Sequence, residues 1–243
     1  PNINARGGNK REEYHLSYQI QKYIDETPLA AESQKHHRDN LCKVLRYERF
    51  RHEVMHQRGF HLCVDSITAD DIREFKHWIQ EEHKYVEMYP LFYQNEPRRQ
   101  VEQVRSENAI SGSLYRIRTV IKNCIKQGLT KNNPFDQYQI AQPIYGDPFY
   151  LTREERNILY DADLSDYPKL ATIRDIFVFH CYIGCRVGDL YRLTKDNIVD
   201  GFIEYTPQKT KKCQAKTVRV PLHDKAKKIL ERYNCSNGKL LPF

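Results

Sequence analysis

Residues 132–148, NNPFDQYQIAQPIYGDP, hold three prolines and no hydrophobic period. Proline fixes φ, lacks an amide donor and keeps the residue before it out of the helical region, so no helix or central strand runs through this stretch. The chain must therefore fold as two parts joined here. The expected division is a disordered lead-in at 1–12, a helical domain at 13–133, a linker at 134–150 and a second domain at 151–243. At 243 residues the chain is long enough for a real core.

The first part reads as helical. One helix is expected near 14–26, closed by Pro28, and a second near 31–57 with Leu41, Val44, Leu45 and Phe50 as its apolar seam. Thr68 is a good N-cap for a third, whose face carries Ile72, Phe75, Trp78 and Ile79. Residues 89–106 lack a clear period and read as a connection. Over 107–127, Ile110, Leu114, Ile117, Ile121 and Cys124 make a narrow helical stripe, and Gly128 supplies the stop. Beside that stripe Arg118, Lys122 and Lys126 recur every fourth residue, either a solvated face or a surface for a polyanion.

The second part opens with Thr152 and Glu155 at capping-box spacing. An apolar helix follows near 167–183, carrying Leu170, Ile173, Ile176, Phe177 and Phe179, then a short one around 186–193. After TKDNIVDG the period changes to alternation. FIEYTPQKT and KTVRVPL flank KKCQA as a hairpin with a basic tip, and residues 223–233 read as a closing helix.

Charged residues make up 29% and hydrophobic residues 40%, a soluble composition. No apolar run approaches bilayer length, and the opening residues lack a signal-peptide core, so a cytoplasmic protein without membrane contact is expected. A net charge of +7 leans only weakly toward a polyanionic partner. None of the seven cysteines forms a C-x-x-C pair. His180, Cys181 and Cys185 cluster, but without the further Cys or His pair that a metal site needs they read as free thiols in a reducing compartment.

The chemistry concentrates in CYIGCRVGDLYRL, residues 181–193. Arg186 sits in an apolar run with Asp189 three residues on. Either the aspartate neutralises the guanidinium, or the arginine is held for an anion from outside the chain. From Lys209 to Lys228 there are eight Lys and Arg residues against one acid, Asp224. Such density repels itself unless an anion lies near. Guanidinium forks and lysines both suit phosphate.

The ordered combination of GCRVGDLYRLT, a hairpin with QKT 23 residues after the arginine, and VRVPL resembles the first half of the tyrosine recombinase (phage integrase) catalytic domain. Upstream, SENAISGSLYRIRTVIKNCIKQGLTKNNPF is similar to the closing helices of that family's core-binding domain, and YLTREE to its catalytic-domain entry. The likeness covers roughly residues 10–233 and is nearest to integrases of Bacteroides-type mobile elements.

The resemblance implies a mainly α fold. A helical SAM-like core-binding domain would precede the first part of a mixed α+β catalytic domain, made of helices and a small antiparallel sheet. It implies site-specific DNA strand cleavage and joining through a 3′-phosphotyrosyl intermediate, with no metal or nucleotide cofactor. Arg186 would clamp the scissile phosphate. Lys209 would be the general acid to the leaving 5′-hydroxyl, and Asp189 would brace the arginine. Arg118, Lys122, Lys126, Lys211, Lys212 and Lys216 would reach phosphates of duplex DNA.

The family's H/K-x-x-R box and nucleophilic tyrosine are not recognisable. No histidine is followed by arginine three residues on, and none of the seventeen tyrosines sits in the expected block. The chain alone is therefore expected to be inactive, as a fragment of a longer enzyme or a shortened relative. Exposed apolar surface is expected near its C-terminus. Family members act as tetramers on paired sites, whereas this chain is expected to be a monomer or weakly associated. Two other readings remain open: a DNA-binding regulatory protein on the same scaffold without chemistry, and a helical protein-interaction module.

Overall fold

The computed structural model describes residues 11–209, 216–233, 235 and 238–243. The chain divides into two compact units, residues 1–146 and 147–243. The expected lead-in falls largely on residues 1–10, outside the described residues.

Unit 1 is helical: α1 (Leu16–Glu26), α2 (Ala31–Glu53), α3 (Ala69–Met88), the single turns α4 (Pro90–Tyr93) and α5 (Arg98–Val101), and α6 (Glu107–Lys126). Thr68 and Asp71 close a reciprocal capping box at the start of α3, an arrangement worth about 1 kcal/mol. The stripe of α6 is wholly buried, and Ile72, Phe75, Trp78 and Ile79 of α3 share one core with it. Gly128 takes φ +75°, the left-handed stop that ends the helix.

The seam expected on α2 is corrected in part. Val44 and Phe50 are buried, but Leu45 is 48% exposed, and Tyr47 fills the core in its place. The helix turns that way because it also buries charge. Arg46 donates from Nε to Glu82 of α3 at 2.5 Å, and Arg105 reaches the same carboxylate at 2.6 Å. Glu48 accepts the Leu62 amide at 3.0 Å.

The proline-rich stretch begins inside unit 1, where Ile140 belongs to the core. Asn108 then holds Ile144 by both backbone groups, accepting its amide at 2.8 Å and donating to its carbonyl at 2.6 Å.

Unit 2 carries α7 (Arg153–Asp161), α8 (Pro168–Ile183), α9 (Val187–Leu190) and α10 (Asp224–Glu231) around a three-stranded antiparallel sheet. Its strands β1 (Ile198–Val199), β2 (Phe202–Tyr205) and β3 (Val218–Pro221) lie in that order. The β2–β3 hairpin is the expected one, registered Ile203 to Val220 and Glu204 to Arg219. The short β1 joins through an Asp200-Gly201 turn with both residues at positive φ, the twist that tight hairpins favour. Thr152 and Glu155 form the capping box of α7.

α8 is apolar on two sides, as a buried helix of a larger layer would be. Val178, Phe179 and Ile183 face the core, while Leu170 (50%), Ile173 (62%) and Phe177 (44%) are exposed. Tyr191 and Phe243 extend this apolar surface, with their rings edge to face at 4.6 Å. Asp175, on the buried side, accepts from Arg174, Arg232 and the Tyr233 hydroxyl and ties α8 to the end of α10. No helix among the described residues is long and apolar enough to cross a membrane.

Candidate functional site

α8 stops where Gly184 takes φ +65° and donates its amide to the His180 carbonyl at 2.8 Å. Cys185 is buried, and its carbonyl accepts a hydrogen bond from His180 Nε2 at 2.5 Å. A carbonyl only accepts, so the imidazole carries its proton on Nε2. This contact fixes the loop from which Arg186 projects. Arg186 is exposed in an extended conformation, and its carbonyl accepts the Asp189 and Leu190 amides at 2.8 and 2.9 Å to start α9. Among the described residues its guanidinium has no ion-pair partner.

Asp189 does something other than expected. It is buried at 6% exposure, and its Oδ1 accepts the backbone amide of Gln208 at 3.0 Å. Among the described residues Asp189 makes no ion pair with Arg186. The carboxylate ties α9 to the segment leaving β2, because a buried carboxylate needs donors and this amide supplies one. Tyr205, the last residue of β2, lies against the same loop. Burial pushes its hydroxyl pKa up, Cys185 and Asp189 add to that, and Arg186 opposes it.

Lys209 follows Gln208 directly and is exposed. The structure thus links the helix headed by Arg186 to the residue before Lys209 by one hydrogen bond. Lys216 is exposed ahead of β3, while Lys211 and Lys212 lie outside the described residues. In unit 1, Lys122 and Lys126 are exposed on α6, and Arg118 is half-buried with its guanidinium 4.7 Å from the Tyr115 ring. His180 has spent one ring nitrogen on Cys185, and among the described residues no group of three or more His, Cys, Asp or Glu side chains is placed to hold a metal.

Sequence reasoning missed His180, Tyr205 and Gln208. Gln208 acts through its backbone amide, which no residue type signals. His180 was visible only as a member of a cysteine-rich cluster.

Removal of the aspartate tests the tie. Asp189→Ala is expected to release the Gln208 amide, costing about 1–3 kcal/mol and accelerating its hydrogen exchange by tenfold or more. Unchanged exchange at Gln208 would show that the tie does not hold the hairpin.

In fold the chain is similar to solved integrases. It superposes on lambda integrase bound as a tetramer to a Holliday junction with a TM-score of 0.58 and 14% identity, over 93% of this chain and 57% of that one. It superposes on the Tn1549 transposon integrase in complex with transposon right end DNA with a TM-score of 0.60 and 13% identity, over 90% of this chain and 64% of that one. The chain thus spans less than two thirds of the length of either. No protein-family model matches the sequence, and no curated relative does. The architecture, helices followed by helices around a small antiparallel sheet, is that of the solved integrases on which the chain superposes.

Proposed function

We propose that this chain is the DNA-binding and phosphate-clamping portion of a site-specific DNA recombinase of the tyrosine type, a member of the mobile-element integrases. The observation that carries this reading is the Asp189–Gln208 tie, which sets an exposed Arg186 and an exposed Lys209 on joined loops. An exposed arginine with no carboxylate partner among the described residues is available to fork onto a phosphate. A lysine on the joined segment can protonate a leaving 5′-hydroxyl. The fold, similar to integrases solved with a Holliday junction and with transposon end DNA, supports the same reading.

In this account Arg186 stabilises the charge that builds on the phosphoryl oxygens, and Lys209 supplies the proton that lets the 5′-oxygen leave. Asp189 acts through Gln208, limiting the freedom of the loop that carries the lysine. Arg118, Lys122 and Lys126 of unit 1, and Lys211, Lys212 and Lys216 of unit 2, neutralise flanking phosphates without reading sequence. The domains are a helical core-binding domain and part of a catalytic domain.

Duplex binding tests the reading. Six to eight cationic contacts predict a slope of log affinity against log salt of about −5 to −7. Fluorescence anisotropy of the chain on a labelled duplex at several salt concentrations measures it, and a flat salt dependence sinks the DNA reading. A nicked suicide duplex offered to the complete reading frame separates enzyme from regulator, since only the enzyme leaves a covalent adduct.

A further inference from the structure

The contact between α2 and α6 in unit 1 gathers several cations around Lys43. Lys43 of α2 is half-buried and donates to Ser113 Oγ of α6 at 3.0 Å, while Ser113 donates onward to the Ala109 carbonyl at 3.3 Å. The hydroxyl is thereby committed as an acceptor toward the lysine, which fixes the ammonium in place. Arg116, one turn along α6 and also half-buried, lies back over Gly112, where a Cβ would come within 3.2 Å of its guanidinium.

The charged groups facing Lys43 are Arg105, Arg116, Asp39 and Glu82. Glu82 is already engaged by Arg46 and Arg105, and Asp39 is exposed to solvent, so positive charge is in excess. Three and six residues back from Lys43 on α2, Asn40 is 1% exposed and His37 is 7% exposed. Among the described residues both amide atoms of Asn40 and Nδ1 of His37 have no hydrogen-bond partner. Buried polar groups are paired almost without exception. Here they stand unpaired among the described residues, beside two cations whose shared acidic neighbour, Asp39, is exposed to solvent.

We propose that Lys43 and Arg116 form a seat for a backbone phosphate of duplex DNA, with Ser113 positioning the lysine. The proposal rests on the reading of this chain as a DNA-binding protein and adds a proton-linked site to it. Burial, with Arg105 and Arg116 nearby, lowers the ammonium of Lys43 to about 8 in the free protein. A phosphate at the seat opposes that depression, so the bound lysine keeps its proton to higher pH. The contribution of the seat to affinity is therefore complete below about pH 8. Above that it falls by up to about tenfold per pH unit until the bound lysine also titrates.

The test is anisotropy of the 1–243 chain on a labelled duplex at fixed ionic strength across about pH 6.5 to 9.5. Wild type is expected to bind evenly to about pH 7.5 and then weaken. Lys43→Arg is expected to match it at neutral pH but stay flat through the alkaline range, since a guanidinium does not titrate there. Lys43→Gln is expected to bind about five- to tenfold more weakly, with the same flat profile and a salt slope smaller by about one. A thermal melt confirms that each variant is folded, and if the glutamine variant is not, the arginine profile alone decides. If wild type binds DNA but both variants share its affinity, salt slope and alkaline fall, the seat is disproved and the DNA reading stands. If wild type shows no salt-dependent binding, both are overturned.

Discussion

Glu82→Gln is expected to destabilise unit 1 by about 3–5 kcal/mol, the largest loss from any single charge removal in this protein. Glu82 is fully buried and accepts from Arg46 Nε at 2.5 Å, Arg46 Nη2 at 3.3 Å and Arg105 Nη2 at 2.6 Å. Burial works against the charge of Arg46, and the hydrogen bond and charge of Glu82 more than offset it, with Glu96 adding to the effect. Glutamine keeps the shape but cancels the negative charge, leaving two guanidinium groups crowded in a core. Trp78 is the one tryptophan and lies in the core of unit 1, so its fluorescence during urea unfolding reports this unit. The thermal midpoint should drop by roughly 10 °C. The exposed Arg98–Glu102 pair gives the contrast: its removal should cost no more than about 0.5 kcal/mol. A loss below about 1 kcal/mol for Glu82→Gln would mean that water reaches the network and screens it.

That network also shows where sequence reading stops. The stripe of α6 and the face of α3 were legible because apolar spacing alone specifies a buried helical face, and every residue named on them is buried. Leu45 misled for the converse reason. On α2 the rotation is decided by Arg46 and Glu48, whose partners Glu82 and Leu62 lie 36 and 14 residues away, and local periodicity carries no trace of them.

The same limit applied in unit 2. The β2–β3 hairpin could be read from alternation, whereas the two-residue β1 is too short to show a period. At the candidate site, Arg186 and Lys209 stood out by type and spacing. The role of Asp189 did not, because spacing suggested an ion pair with Arg186 within one turn, and the structure spends the carboxylate on a backbone amide 19 residues away. Charge pattern marks candidate groups, and contacts between distant segments decide how they are held.

Under the proposed function, Arg186→Ala is expected to separate chemistry from structure. The side chain is exposed and caps nothing, since α9 has no side-chain cap from Arg186. The backbone at φ −69° and ψ 146° suits alanine, and the carbonyl that starts the helix remains. The variant is therefore expected to melt within about 0.5 kcal/mol of wild type. In the complete reading frame, strand cleavage should fall by about 10³-fold or more, the scale of an arginine that meets charge only in a phosphoryl-transfer transition state. Duplex affinity should fall only a few-fold, because one phosphate contact among several is lost. Arg186→Lys sharpens the test, since it restores charge without the two-pronged fork, so binding should recover while most of the cleavage defect persists. Single-turnover cleavage of a nicked duplex, measured beside anisotropy on the intact duplex, reads both quantities. Cleavage near wild type in the alanine variant would remove Arg186 from the reacting phosphate.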